Sequence, residues 1–401
     1  MDPTIWPVWP LNFDAPIRLA LALLFAGLGG ELVARFARLP RVTGYSLTGL
    51  LMGPALLGWY GPADLADLRI VIDLALALLL FELGVRLDVR WFRANPWILA
   101  SSVAEALLAF VMTFAVLRGL GYSNGMSASV AAIAIATSPV VVMRVVAELR
   151  AEGQVTQRLF ALCALNVAYS LVLSHLIVGG MHGVFRNDWA AALLHPLYLI
   201  GGSLIVGGAL AWAFRQLQRA VDLSEEQGVV VLFGLLLLAL ALLKAFKLPN
   251  MLAPLIAGAI VKYIDPRPQL WPRHFGTVGG VLVIPLFMLT GMSLTLEQIA
   301  VGGLAGLALL LARAIGKSGG ALLFGPGSGL SVRQSLALGI ALLPMSGVAL
   351  IIAEDIRLMY PDFGATLVPI VLSMMLVMEL LGPVAVKWGL QTAGENCAGD
   401  R

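Results

Sequence analysis

Long apolar stretches alternate with short polar gaps along the whole chain. Reading the stretches between charges and Pro/Gly punctuation gives spans at 16–36, 43–60, 67–89, 96–118, 125–149, 158–180, 190–214, 226–246, 249–264, 275–296, 298–323, 333–355 and 364–390. A helix of about 20 apolar residues crosses a bilayer. The pattern therefore predicts an all-α, polytopic membrane protein of about 13 transmembrane helices. The span 249–264 is short and carries Pro249 and Pro254.

Arg and Lys set the orientation. Odd-numbered gaps hold Arg38 and Arg41, then Arg90 and Arg93, Arg150, Arg215 and Arg219, Lys262, Arg267 and Arg273, and Arg333. By contrast, 119–124 has no Lys or Arg and 181–189 has only Arg186. Basic loops stay in the cytoplasm. The bias predicts an N-terminus outside and a C-terminus inside, in the cell's inner (plasma) membrane. No basic segment followed by a small-residue cleavage site opens the chain, so the first span is expected to target it. With 14 residues after Lys387, no appended soluble domain is expected.

Composition agrees. Hydrophobic residues make up 60% and charged residues 12%, against about 25% charged in soluble domains. The 43 glycines suit close helix packing in lipid. The net charge of +3 is scattered, with no basic patch for nucleic acid. Cys163 and Cys397 can build neither a disulfide framework nor a CxxC metal pair. There is no P-loop, HExxH or Gly-x-Ser-x-Gly motif, so neither an enzyme nor a cofactor is expected. No repeated ring for a channel filter is present either.

Two spans carry helix breakers near their middles: Thr137-Ser138-Pro139 and Pro344-Met345-Ser346-Gly347. Proline removes a backbone donor and clashes with the preceding turn. In lipid, the freed carbonyls must find other partners. The broken spans are the fifth and the twelfth. That offset is expected if spans 1–6 and 8–13 are inverted halves joined by span 7. Matched broken helices in inverted halves point to a transporter's binding site.

Further motifs follow in order. They are Leu39-Pro40-Arg41 with Gly44-Tyr45, Gly49 through Gly53-Pro54, Leu80-Phe81-Glu82-Leu83-Gly84 with Arg86 and Asp88, Pro285 through Thr290-Gly291-Met292, Leu342-Leu343-Pro344, and Glu379 with Gly382-Pro383. With the two breaks, this set resembles the monovalent cation/proton antiporters of the second cation:proton antiporter family, which are sodium/hydrogen exchanger-like. The resemblance implies one exchanger domain over 1–401. It implies core segments at about 67–180 and 275–390 and dimerisation segments at about 16–60 and 190–264. It also implies a homodimer, elevator-like alternating access, and a monovalent cation and a proton as partners.

One departure matters. The family's sixth helix carries an acidic pair where ion and proton compete. Here Asn166 stands at the first position and Val167 at the second. Valine has neither an acceptor nor a proton to give. The predicted ion path is Thr137, Ser138, Pro139, Asn166, Pro344, Ser346 and Gly347, with Glu105, Lys317, Arg313 and Arg144 as titratable or charge-balancing groups. Glu105 lies inside the fourth span, where a charged residue costs roughly 2.5–3.5 kcal/mol and marks function. Lys317 resembles the family's eleventh-span basic residue but lacks its expected acidic partner; snorkelling is the alternative. Arg144 can plug the cavity or pair with Glu148. Glu379 is read as structural. Glu82, Arg86 and Asp88 read as a structural charge cluster. His175 can relay protons near neutral pH, although a lone helical histidine is more often structural. Two other readings stay open: an exchange-deficient sensor or scaffold, and a carrier of an anionic solute drawn by Arg144, Arg313 and Lys317.

Overall fold

A computed structural model describes residues 15–59, 69–221, 225–265, 273–292, 296–345 and 347–396. The described residues form helices and short turns, without a strand. The helices are α1 (Ala15–Leu32, continued by a π-helical turn Val33–Ala37), α2 (Arg41–Met52), α3 (Arg69–Val85), α4 (Val89–Ala94), α5 (Pro96–Gly119), α6 (Asn124–Ile135), α7 (Pro139–Leu149), α8 (Gln154–Arg186), α9 (Trp189–Val221), α10 (Glu225–Ala245), α11 (Leu252–Ile264), α12 (Arg273–Met292), α13 (Leu296–Phe324), α14 (Val332–Ala341), α15 (Gly347–Met359) and α16 (Pro361–Ala393).

Among the described residues, eight helical stretches are long and apolar enough to cross a membrane, with shorter apolar helices at Leu252–Ile264 and Leu282–Met292. The predicted span 125–149 is split into α6 and α7, and 333–355 into α14 and α15. Both splits fall at the predicted breakers. Local chemistry sets several ends. Asp88 accepts from the Arg90 backbone N–H at 2.9 Å and starts α4. Ser331 and Gln334 form a reciprocal capping box on α14. Gly153, at the start of α8, offers no side chain, and Glu395 supplies the cap instead. Its carboxylate accepts from the Val155 and Thr156 N–H groups at 2.7 Å each.

Glycine lets backbones touch at three places. A Cβ on Gly320 of α13 would lie 2.2 Å from the Glu105 Cα, and one on Gly316 would lie 2.5 Å from the Ala109 Cα. Real Cβ atoms do not approach so closely, so α13 is seated directly on α5. Gly84 of α3 and Gly258 of α11 interlock in the same way, as do Gly49 of α2 and Gly291 of α12. Small residues are the usual means of close helix packing in lipid.

A separate apolar cluster joins α3, α9, α10 and α11 through Phe81, Phe214, Leu236 and Val261. The larger core runs through α5–α8 and α13–α16 and extends into α1–α3, α11 and α12. Apolar side chains such as Ile205, Trp212 and Val230 remain exposed on α9 and α10, as a lipid-facing surface requires. Of the charge cluster expected from Glu82, Arg86 and Asp88, the first two pair at 2.9 Å, with Arg86 over the Phe160 ring at 4.3 Å, while Asp88 caps α4 instead.

Candidate functional site

The two interruptions meet. The Ser138 N–H donates to the Pro344 carbonyl at 2.9 Å, and the Thr137 hydroxyl donates to the Leu342 carbonyl at 2.9 Å. Each break has a local cause. Pro139 opens α7, where a missing N–H is no loss, and the Ser138 hydroxyl caps that helix by accepting from the Val141 N–H at 3.3 Å. On the other side, Gly382 of α16 leaves room for Pro344, which a Cβ would approach to 3.1 Å.

Broken helices leave carbonyls without partners and concentrate partial negative charge at their C-terminal ends. Arg313 of α13 answers both ends. Its guanidinium donates to the Ala134 and Ala136 carbonyls at 2.7 Å each and to Leu342 and Pro344 at 3.4 Å, and it also bonds the Leu343 carbonyl. It is fully buried. Its charge is thereby committed to the crossing, which leaves little with which to attract a solute.

Asn166 of α8 lies against the crossing. Its amide nitrogen donates to the Thr137 hydroxyl at 3.2 Å, while its oxygen has no protein partner. Cys163, one turn before, donates to the Thr137 carbonyl at 3.6 Å. Val167 is completely buried and contributes no polar atom.

One turn beyond Arg313, Lys317 points at α5. Its ammonium meets Glu105 Oε2 at 2.8 Å, and both side chains have zero exposure. The Gly316 and Gly320 contacts described above hold α13 and α5 close enough for this bond. The second carboxylate oxygen, Oε1, has no protein partner. Arg313, one turn before Lys317 on α13, bonds the Ala136 carbonyl beside Thr137, which places the pair about one helical turn from the crossing. Lys317 therefore does not snorkel.

A fixed cation on crossed helix breaks, next to a buried lysine–carboxylate pair, is a transporter's arrangement. The transmembrane sodium/hydrogen exchanger family profile matches residues 20–392. The chain belongs to that family. Over 104 residues it is 33% identical to the Na(+)/H(+)-K(+) antiporter GerN of Bacillus cereus. That alignment spans 26% of this chain and about a quarter (25%) of GerN. Two structures of the sodium proton antiporter MjNhaP1 from Methanocaldococcus jannaschii share the fold. The one at pH 8 has a TM-score of 0.72 at 19% identity, covering 96% of this chain and 99% of that one. The other, an electron-microscopy map, has a TM-score of 0.74 at 17% identity, covering 96% and 98%.

Within this exchanger fold, the remaining predicted residues are distributed as follows. Gly347 begins α15, beside Leu76 of α3. Ser346 lies outside the described residues. Arg144 sits half-buried on α7, and its expected partner Glu148 is instead taken by Arg41, through its backbone N–H at 3.2 Å and its guanidinium at 3.6 Å. Pairing with Glu148 was one of two expectations for Arg144; the close approach of α2 to α7 gives Glu148 to Arg41 instead. Glu379 of α16 accepts from the Ser46 hydroxyl of α2 at 3.0 Å. Two features had no signal in the sequence: the Glu105–Lys317 pairing across 212 residues, and the capping of α8 by Glu395.

Proposed function

We propose that this exchanger swaps a monovalent cation, Na⁺ or K⁺, for a proton at the Glu105–Lys317 pair. The observation that carries the reading is this fully buried pair, placed beside the oxygens of Thr137 and Asn166 where Val167 supplies nothing. An unpaired charge in this interior is costly. The Lys317 ammonium can therefore lose its proton only when another cation takes its place against Glu105. The balanced step converts an ammonium–carboxylate pair plus M⁺ into a neutral amine, a carboxylate–M⁺ contact and a released H⁺. Asn166 Oδ1, Glu105 Oε1 and the Thr137 hydroxyl offer oxygens for a desolvated M⁺. Arg313 keeps the crossing rigid while this happens.

Alternating access then needs two units that move past each other. The sequence reading put 67–89 and 275–296 with the core. The interlocked glycines of α3 with α11, and of α12 with α2, support grouping these helices with the frame instead. The proposed frame is α1–α3 and α9–α12, and the moving unit α5–α8 and α13–α16. A homodimer through the frame, an N-terminus outside and residence in the inner membrane complete the reading.

Val167 favours a second reading, an exchange-deficient relative that senses or binds a partner. Proteoliposomes with an imposed pH gradient separate the two. Na⁺ or K⁺ flux between pH 6 and 9 that Glu105→Gln abolishes supports exchange. No flux above empty vesicles for either ion removes it. The saturation of Arg313 by carbonyls argues against an anion carrier.

A further inference from the structure

Buried hydroxyls in these helices follow two patterns. Thr48, Ser203, Thr290 and Ser373 bond back to a carbonyl of their own helix at 2.7–2.8 Å, the usual habit of such side chains in apolar surroundings. Thr113 of α5, Ser127 of α6, and Ser170 and Ser174 of α8 do not. Each is no more than 1% exposed, and none of their oxygens has a protein partner. A buried polar group without a partner costs about 1–3 kcal/mol, and in native proteins such groups are usually met by ordered water.

These orphans are not scattered. α5, α6 and α8 pack on one another. Asn166, Ser170 and Ser174 recur every fourth residue and so share one face of α8. Asn166, at the lower end, touches the Thr137 corner of the exchange site and also has an unpartnered oxygen. At the upper end His175 follows, 94% buried by its exposure of 6%, with an unpartnered Nε2. Neighbouring helical residues point about 100° apart, so the polar track turns round α8 here, towards α9. There Gly179, one turn beyond His175, packs directly on Ala192 and Pro196 of α9, next to His195. The His195 ring lies 5.2 Å from that of His182. His182 and His195, with Arg186, Asp188 and Lys247, line a cavity of 410 Å³ that reaches the protein surface. His182 also shares a 2.5 Å hydrogen bond with the Tyr360 hydroxyl.

We propose that a water-filled path runs along α8 from the His182–His195 cavity through His175, Ser174 and Ser170 to Asn166, and delivers protons to the exchange site. The path opens at the cavity between α8 of the moving unit and α9 of the frame, and from His175 onward it follows α8 within the moving unit. Hydroxyls and imidazoles in single file pass protons by exchanging hydrogen bonds, whereas a hydrated Na⁺ needs a wider opening. The proposal rests on Glu105–Lys317 as the exchange site, but its test does not need transport.

Ser170→Cys and Ser174→Cys are near-isosteric, so folding is preserved, as a single symmetric gel-filtration peak would show. Membrane vesicles of either orientation are exposed to Ag⁺, a thiophilic ion of about the size of Na⁺, then denatured and alkylated with N-ethylmaleimide. Peptide mass spectrometry reads the protection at each cysteine. Both cysteines are expected to react at least tenfold faster than Leu171→Cys, which is buried among apolar side chains on the same helix, and to do so from the side that bears the α8–α9 turn. Equal rates, or reaction only from the opposite side, overturn the proposal. The same measurement in Glu105→Gln gives the same answer whether or not exchange survives. Loss of flux in the wild type therefore sinks the proposed exchange and leaves the path standing, and dry cysteines do the reverse.

Discussion

Removing one member of the Glu105–Lys317 pair should do more harm to stability than removing both. At 2.8 Å, two unit charges attract by roughly 6 kcal/mol with an effective dielectric constant of about 20. Much of that is offset by the cost of taking both ions out of water. Glu105→Gln keeps the shape but leaves Lys317 with no opposite charge, which costs about 3–5 kcal/mol. Glu105→Gln combined with Lys317→Met removes both charges and should restore most of that loss, to within about 1 kcal/mol of the wild type. Thermal unfolding of purified protein in detergent, followed by intrinsic fluorescence, measures the cycle. The single variant should unfold roughly 5–10 °C below the wild type, and the double variant within about 2–3 °C of it. Neither should exchange cations for protons. If the losses simply add, the two side chains are not coupled. If the double variant still exchanges, the titrating pair has been misassigned.

Other consequences can be checked alongside. Val167→Asp placed in Glu105→Gln should return part of the lost flux, because it offers Lys317 a carboxylate from α8; a double variant as inactive as Glu105→Gln contradicts this. Gly320→Ala should cut exchange at least tenfold, because its methyl would lie 2.2 Å from the Glu105 Cα and must force α13 off α5; flux at the wild-type rate would show that the pair tolerates separation. Arg313→Met should destabilise by about 3–5 kcal/mol, since carbonyls of both broken helices lose their donor, with Arg313→Lys recovering only part; thermal unfolding reads both. Glu395→Ala should cost about 1–2 kcal/mol through the lost cap on α8, seen as faster amide exchange at the start of that helix.

What the sequence revealed follows from the range of the interactions involved. Helices and their breaks are local events. Apolar runs and Pro139 and Pro344 announce them, and α6/α7 and α14/α15 separate where those prolines fall. Pairings between distant helices are not local. Glu105 and Lys317 were each recognisable as improbable charges in lipid, but their meeting depends on Gly316 and Gly320 admitting one backbone to another. Lys317 could thus look unpartnered in the sequence and yet have its partner on α5. Of the two expectations for Arg144, the pairing with Glu148 gave way to Arg41, which α2 brings to that carboxylate from a distant part of the sequence.

The bond between Ser46 and Glu379 joins α2 to α16 and so straddles the proposed sliding boundary. Hydrocarbon surfaces glide with little resistance, whereas a buried hydrogen bond to a carboxyl group holds one position and weakens steeply as its donor and acceptor part. Every crossing of the membrane must therefore break this contact and make it again, which turns a smooth slope into a notch. Ser46→Ala would flatten that notch. Single-molecule traces of the variant should then show shorter dwells in the resting state and unchanged dwells elsewhere.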